Sequence, residues 1–176
     1  MDLARFNTLP QPHQSISEWR GFIEFAQAYF SNREVDRPLV VEVGIYQNKQ
    51  KDFYKEFLNA DFIGIDIEAV NSIPDIMGDS NDPKTAVRLR EMLNGRPVDL
   101  VFIDGHHGYG SVKNDYDVFG SMSRHLVAFH DIYTPTVEVL RFWQDLLKET
   151  DKTTVEFRSP KSYMGIGVVL KCAGGV

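Results

Sequence analysis

The sequence predicts an α/β fold, an open doubly wound sheet of about seven strands, mostly parallel with an antiparallel edge strand. Three observations predict it. Apolar runs too short for helices recur along the chain, amphipathic helical stretches separate them, and two β-prone runs joined by a turn close the sequence. Strand and helix in alternation require right-handed crossovers, which make sequential strands parallel.

The elements follow in order. Ser15 and Glu18 have the spacing of a capping box, and Trp19, Phe22, Ile23, Ala26 and Phe30 then fall on one face of a first helix. Asn7 to Gln14, polar and proline-bearing, reads as an appendage ahead of it. Pro38 introduces Leu39 to Val43, apolar on both faces as a strand inside a parallel sheet is. Comparable runs lie at Phe62 to Ile65, Leu100 to Ile103 and Leu126 to Phe129, with a weaker one at Ile73 to Met77. Between them, Lys49 to Leu58 places Phe53 and Phe57 together, and Asp82-Pro83 opens a helix that Asn94-Gly95 closes. Ser111 to Met122 turns Val112, Tyr116 and Phe119 to one side. Thr134-Pro135 opens a helix carrying Leu140, Trp143 and Leu147 inward. Thr153 to Phe157 and Ile166 to Leu170 form a hairpin at the sheet edge. The expected organisation is one domain: residues 1–36 as a segment and helix packed on the core, 37–176 as the α/β body.

Composition narrows the partners. The 176 residues carry 25 acidic and 19 basic side chains, a formal charge of −6, which repels a polyphosphate backbone or an anionic membrane and so argues against both. One cysteine, Cys172, makes no intramolecular disulfide and reads as a small buried hydrophobe; it favours a reducing, cytoplasmic location. The start of the chain has neither the basic-plus-apolar pattern of a signal nor an anchor, and no apolar run reaches the roughly 20 residues that span a bilayer.

In doubly wound sheets ligands bind beyond the carboxyl ends of the strands, and there each of the five parallel strands runs into an acid: Glu42, Asp66, Asp79, Asp104 and Asp131. A single acid at such a position is as readily a helix cap. Five on one rim repel one another and need hydroxyl donors or a cation to satisfy them. Glu42 and Asp66 lie 24 residues apart, close to the roughly 20 that separate a glycine turn from a ribose-binding acid in dinucleotide folds, so Asp66 reads as a ribose-hydroxyl acceptor.

Over nearly all of Pro38 to Leu170 the chain resembles the class I S-adenosylmethionine-dependent methyltransferases, which share this Rossmann-like sheet. Glu42-Val43-Gly44-Ile45-Tyr46-Gln47-Asn48 is similar to the first cofactor motif, Gly64-Ile65-Asp66, followed by Ile67, to the ribose-binding segment, and Gly78-Asp79-Ser80 to the adenine-contacting turn. Phe102-Ile103-Asp104-Gly105-His106-His107, with His130-Asp131 downstream, resembles the Asp-Gly-x-His signature of metal-assisted O-methyltransferases. The resemblance implies a cofactor site of Glu42, Gly44, Tyr46, Asn48, Asp66, Ile67, Gly78, Asp79, Ser80 and Asp104. It also implies a divalent metal, magnesium by preference, on Asp104 and Asp131 with His130 as a further ligand, and His107 as general base beside catalytic Asp104. Tyr46 and Asn48 stand where the first motif usually carries glycine, and Arg124-His125 where Gly-Gly precedes the fifth strand. Asn48 tolerates a left-handed turn, whereas Tyr46 calls for a backbone that does not rely on positive φ.

Strand alternation lets only one of His130 and Asp131 face the site, and Asp131 is the better choice; a ligating His130 would favour manganese, iron or zinc. His106 is the alternative base to His107. His13 and His125 read as surface residues, Tyr109 as a helix staple, and Trp19 and Trp143 as core. The expected reaction is O-methylation of a sugar, glycan or other natural-product-like small molecule. Short strand-to-helix connections imply an open site, with a bulky acceptor or a lid from a second subunit of a homo-oligomer. Two other readings stay open: a catalytically inactive methyltransferase-like binding protein without cofactor affinity, and a nicotinamide-dependent oxidoreductase, which the missing phosphate-cradling glycines disfavour.

Overall fold

Leu39–Val43 (β1) is buried at every position and lies inside a seven-stranded sheet. The structure is a computed structural model and describes residues 1–70 and 72–171. The other strands are Asp61–Asp66 (β2), Ile76–Met77 (β3), Val98–Ile103 (β4), Ser123–His130 (β5), Thr153–Phe157 (β6) and Ile166–Leu170 (β7), in the order β3-β2-β1-β4-β5-β7-β6. The first five are parallel. The hairpin supplies the edge, with β7 antiparallel to β5 and to the outermost strand, β6.

Helices Leu3–Thr8 (α1), Ile16–Ser31 (α2), Gln50–Leu58 (α3), Pro83–Leu93 (α4), Tyr109–Val118 (α5) and Val139–Leu146 (α6) flank the sheet. Side chains of α2 and α3 pack on the face presented by Val40, Leu100, Phe102 and Ala128; those of α4, α5 and α6 cover the opposite face, presented by Val41, Val43, Val101 and Val127. The chain crosses from one face to the other between β1 and β4. A crevice therefore opens at their carboxyl ends.

Three local expectations are corrected. Asn7 to Gln14 is no appendage: Asp2 caps α1, Phe6 is fully buried, and Gln14 is buried at the end of the segment. The spacing of Ser15 and Glu18 makes no capping box, because the Ser15 hydroxyl pairs with Ser17 and Glu18 turns into the protein. In α6 the buried stripe is Val139, Phe142, Trp143 and Leu146; Leu147 is exposed, since Asp131 to Glu138 forms turns and the helix starts later than Thr134-Pro135 implied. Asp82 and Pro83 do open α4, with Asn94 left-handed at its end. Trp19 and Trp143 are core. Cys172 lies outside the described residues. Among the described residues no helix is long and apolar enough to cross a membrane.

Candidate active site

Two cavities meet in the crevice. One, about 550 Å³, is lined by Gly44, Tyr46, Asp66, Ile67, Gly78, Asp79, Ser80 and Asp104, among others. The second, about 310 Å³, is lined by His13, Gly44, Tyr46, Gln47, Lys49, Gln50, Asp104, His107, His130 and Asp131. Gly44, Tyr46 and Asp104 belong to both walls. Gly44 has φ 84°, and a Cβ there would stand 2.2 Å from the Asp104 carbonyl oxygen, so only glycine lets β1 and β4 end side by side.

Eight of the ten implied cofactor residues lie on the first cavity's wall. Glu42 is not among them. It sits within β1 on the α2/α3 side, fully buried, with neither carboxylate oxygen hydrogen-bonded; burial pushes its pKa well up, the Asp104 charge adds to this, and Tyr54 offsets part of it. Asn48 is the other: its backbone amide closes the turn by donating to the Ile45 carbonyl at 2.6 Å, and its side-chain oxygen is buried without a hydrogen-bond partner, off the cavity wall. Glu68, Val70, Asn81 and Ser111, which the motifs did not include, also line this cavity, as does His106, the alternative base. Glu68 had a signal in the sequence, a second acid just beyond β2.

Asn48 is left-handed at φ 57°, as its chemistry allows; Tyr46, at φ 46°, is left-handed too, against expectation. The reason is Asp66. Its Oδ2 accepts the backbone amides of Ile45 and Tyr46, both at 2.9 Å, and this pair of charge-assisted bonds holds the loop in a conformation tyrosine disfavours. Asp66 thus shapes the loop as well as lining the cavity. Tyr46 is half-exposed, so replacing it forfeits little burial, and Tyr46→Gly is expected to raise the unfolding free energy by about 1 kcal/mol through relief of strain. Urea denaturation checks this, and a loss of stability would contradict it.

Asp79 accepts the amide and side-chain nitrogen of Asn81, which hold its pKa down. Behind the cavity, Asp115 is fully buried without a closed hydrogen bond, and burial raises its pKa to about 6. The unfolded chain releases this proton near 3.8, so folding holds the extra proton between those pH values and stability declines as pH rises through them. Below the window there is no cost, and above it the cost is constant. Asp115→Asn removes it. The variant's stability relative to the parent is expected to improve by about 2 kcal/mol between pH 4 and pH 7, measured by urea midpoints; a difference independent of pH would contradict the assignment.

In the second cavity, Asp104, His107 and Asp131 offer ligand atoms that all lie within 4.8 Å of one another. His107 Nε2 is 3.6 Å from Asp104 and 3.5 Å from Asp131, and it is a buried atom without a hydrogen-bond partner. The Asp104 carboxylate beside it raises the His107 pKa. His130 is buried behind them, Nδ1 3.1 Å from Asp104 Oδ1. Burial alone would lower the His130 pKa, but Asp104 raises it, and the two histidines in turn hold Asp104 low despite its burial. His107 thus faces both acids, and His130 is a hydrogen-bond partner of Asp104. Gln14 Nε2 approaches the other Asp104 oxygen at 3.5 Å.

His130 and Asp131 both reach the second cavity, against strand parity, for a local reason. The strand ends at His130, and Asp131 has φ 62°, which breaks the alternation and brings both side chains to the same side. Thr134 holds this turn, its hydroxyl donating to Asp131 Oδ1 at 2.6 Å and its amide to the Asp131 carbonyl. His106 faces the first cavity and accepts the Gly108 amide, so His107 alone of the two meets the acids. His13 is exposed yet lines the second cavity edge-on to Tyr46, and His125 packs against Tyr29 and Phe30 instead of lying free on the surface. The Tyr109 hydroxyl bonds Asp145, away from both cavities.

No lysine or arginine among the described residues forms an ion pair with Glu42, Asp66, Asp79, Asp104 or Asp131. The rim is electronegative and chemically unfinished. Two adjacent carboxylates suit a hard divalent cation, and the imidazole nitrogen without a partner beside them is free to accept a proton.

No protein-family model matches the sequence, and no curated protein matches it. Among solved structures, the MycE methyltransferase of the mycinamycin biosynthetic pathway, in complex with Mg and S-adenosylhomocysteine, is similar with a TM-score of 0.64 and 18% identity over 98% of this chain and 55% of its own. A further MycE structure, which also holds mycinamycin VI, gives 0.61 at the same identity and coverage. An O-methyltransferase from Bacillus cereus in complex with S-adenosylhomocysteine gives 0.55 at 17% identity over 96% of this chain and 86% of its own. The chain spans about half the length of MycE. Strand order, the antiparallel β7 and these likenesses establish that the chain has the Rossmann-like fold of the S-adenosylmethionine-dependent methyltransferases.

Proposed function

We propose that the protein is an S-adenosylmethionine-dependent, divalent-metal-assisted O-methyltransferase acting on a hydroxyl of a small molecule, with a sugar or glycan as the favoured acceptor. One observation carries this reading: a cavity of cofactor size and a smaller cavity with an acid and histidine cluster share Gly44, Tyr46 and Asp104 as a common wall. Two reactants held across such a wall are aligned for direct transfer.

S-adenosylmethionine supplies an activated methyl group, and a divalent cation, magnesium or manganese, supplies Lewis acidity toward the acceptor hydroxyl. Asp66, Asp79 and Ser80 offer acceptors for ribose and adenine, and Asp104, without a lysine or arginine partner, sets a field that favours a cationic guest. Asp104 and Asp131 would hold the metal. His107, whose Nε2 faces both acids at 3.6 and 3.5 Å, would accept the hydroxyl proton. His13, Gln47, Lys49 and Gln50 surround the acceptor with hydrogen-bonding groups and Tyr46 offers an aromatic face, a wall suited to a polyhydroxylated ring. The similarity of the fold to MycE, solved with Mg, S-adenosylhomocysteine and mycinamycin VI, supports the same reading. The lone cysteine agrees with a cytoplasmic setting.

The test is methyl transfer from labelled S-adenosylmethionine to a panel of sugar, macrolide-glycoside and phenolic acceptors, with magnesium or with EDTA. Transfer to sugar hydroxyls that EDTA abolishes supports the proposal. Transfer that ignores EDTA would reject the metal, and binding of S-adenosylhomocysteine without transfer to any acceptor would favour a binding protein.

A further inference from the structure

Glu18 is the acid the capping-box spacing misread. It is 2% exposed, and its carboxylate accepts three hydrogen bonds, all from the connection between β6 and β7: Ser159 N at 2.7 Å, Ser162 Oγ at 3.1 Å and Gly165 N at 3.2 Å. No lysine or arginine among the described residues pairs with it. A carboxylate buried without a cation is costly unless such donors surround it, so the connection is folded around Glu18. Ser162 Oγ accepts the Met164 amide in turn.

The same connection grips the turn after β5. The Met164 carbonyl accepts the Tyr133 amide at 2.8 Å, and the Tyr163 carbonyl faces the Thr134 hydroxyl at 3.1 Å. Gly165, at φ 78°, lies so close that a Cβ would stand 2.6 Å from the Tyr133 ring and 3.0 Å from Ile132. Thr134 then holds Asp131, whose left-handed backbone has no support from strand pairing. An unbroken path of hydrogen bonds and packing runs from α2, through residues 159–165 and the turn 131–134, to the Asp131 carboxylate.

We infer that Glu18 is a positioning residue: through the β6–β7 connection it fixes the turn that aims Asp131 into the second cavity, and so sets the cavity's affinity for a divalent cation. This rests on the metal reading above. It differs from a purely structural role in what a variant changes. The first cavity is walled by residues of β1 to β4, the loops after them and the start of α5, none in this path, so its ligand affinity stays put while cation affinity falls. Removal of outer partners of metal ligands typically lowers affinity 10- to 100-fold.

The experiment measures Mn²⁺ binding to the full chain by electron paramagnetic resonance, with S-adenosylhomocysteine binding by calorimetry in EDTA alongside, for the parent protein, Glu18→Gln, Ser162→Ala, Thr134→Val and the Glu18→Gln/Thr134→Val pair. Glu18→Gln is expected to weaken Mn²⁺ about 10-fold or more, Ser162→Ala to weaken it less, and S-adenosylhomocysteine affinity to stay within threefold. Because Glu18 and Thr134 act along one path, the double variant is expected to lose no more Mn²⁺ affinity than the worse single variant. Mn²⁺ affinity within twofold of the parent in folded Glu18→Gln, or an additive double variant, would overturn the inference while leaving the metal site standing. If Glu18→Gln does not fold, Ser162→Ala decides: an unchanged Mn²⁺ affinity overturns the inference and a selective loss supports it. A parent protein that binds no Mn²⁺ refutes the metal reading itself, and the inference with it.

Discussion

His107→Ala is expected to lower kcat for methyl transfer by roughly 10²- to 10⁴-fold, the usual contribution of a positioned general base. The residue sits between two carboxylates, its Nε2 has no competing partner, and it is the only histidine of the adjacent pair that faces them. Cofactor binding should survive, because His107 does not line the first cavity. Steady-state kinetics together with calorimetry of S-adenosylhomocysteine check both halves. Added imidazole is expected to restore part of the rate, since the lost group is a proton acceptor in an accessible cavity. A folded variant with near-parental kcat would remove His107 from the mechanism and make His130 or solvent the proton acceptor.

Asp104→Asn is expected to be the more damaging change, with activity falling about 10³-fold or more, because one carboxylate serves both cavities. The amide keeps the size but loses the charge that faces a cationic guest, the anionic ligand for the metal, and the charge on the acceptor for His130. Affinity for S-adenosylmethionine and for Mn²⁺ should fall together, a coupling that His107→Ala lacks. Weakening a buried charge-assisted pair also costs roughly 1 to 3 kcal/mol of stability, so thermal unfolding must be measured alongside to confirm that the variant is folded at the assay temperature. Loss of activity with both affinities intact would contradict the shared-wall arrangement.

The fold was legible because parallel strands buried on both faces write themselves as uninterrupted apolar runs: Leu39 to Val43 and the β4 and β5 runs need no tertiary information to be found. The rim acids were legible for a related reason, since a charge directly after such a run has nowhere to go but the sheet's end. What the sequence hid were features set by long-range geometry. Glu18 and Ser15 satisfy the spacing of a local cap, yet the donors Glu18 meets lie more than 140 positions away, at Ser159, Ser162 and Gly165. Tyr46 looked incompatible with a left-handed turn because the compensating carboxylate, Asp66, belongs to the next strand. Likewise, the alternation rule for His130 and Asp131 holds only while the strand lasts, and where it ends depends on the turn that Thr134 and the β6–β7 connection stabilise. Glu42 shows the converse: a motif position can be right while the side chain points into the core, because parity within β1 outranks its closeness to the rim.

The central claim is that the unpaired acids at the sheet's carboxyl end exist to hold cationic ligands, a sulfonium on one side of Asp104 and a divalent metal on the other. Calorimetry of S-adenosylmethionine against S-adenosylhomocysteine, each with and without Mg²⁺, on the parent chain and on Asp104→Asn, tests it most directly. The account predicts saturable binding of both adenosyl ligands to the parent, and a larger loss for the sulfonium than for the neutral thioether when Asp104 is neutralised. Equal loss for the two, or no heat with either ligand on the parent chain, would contradict it.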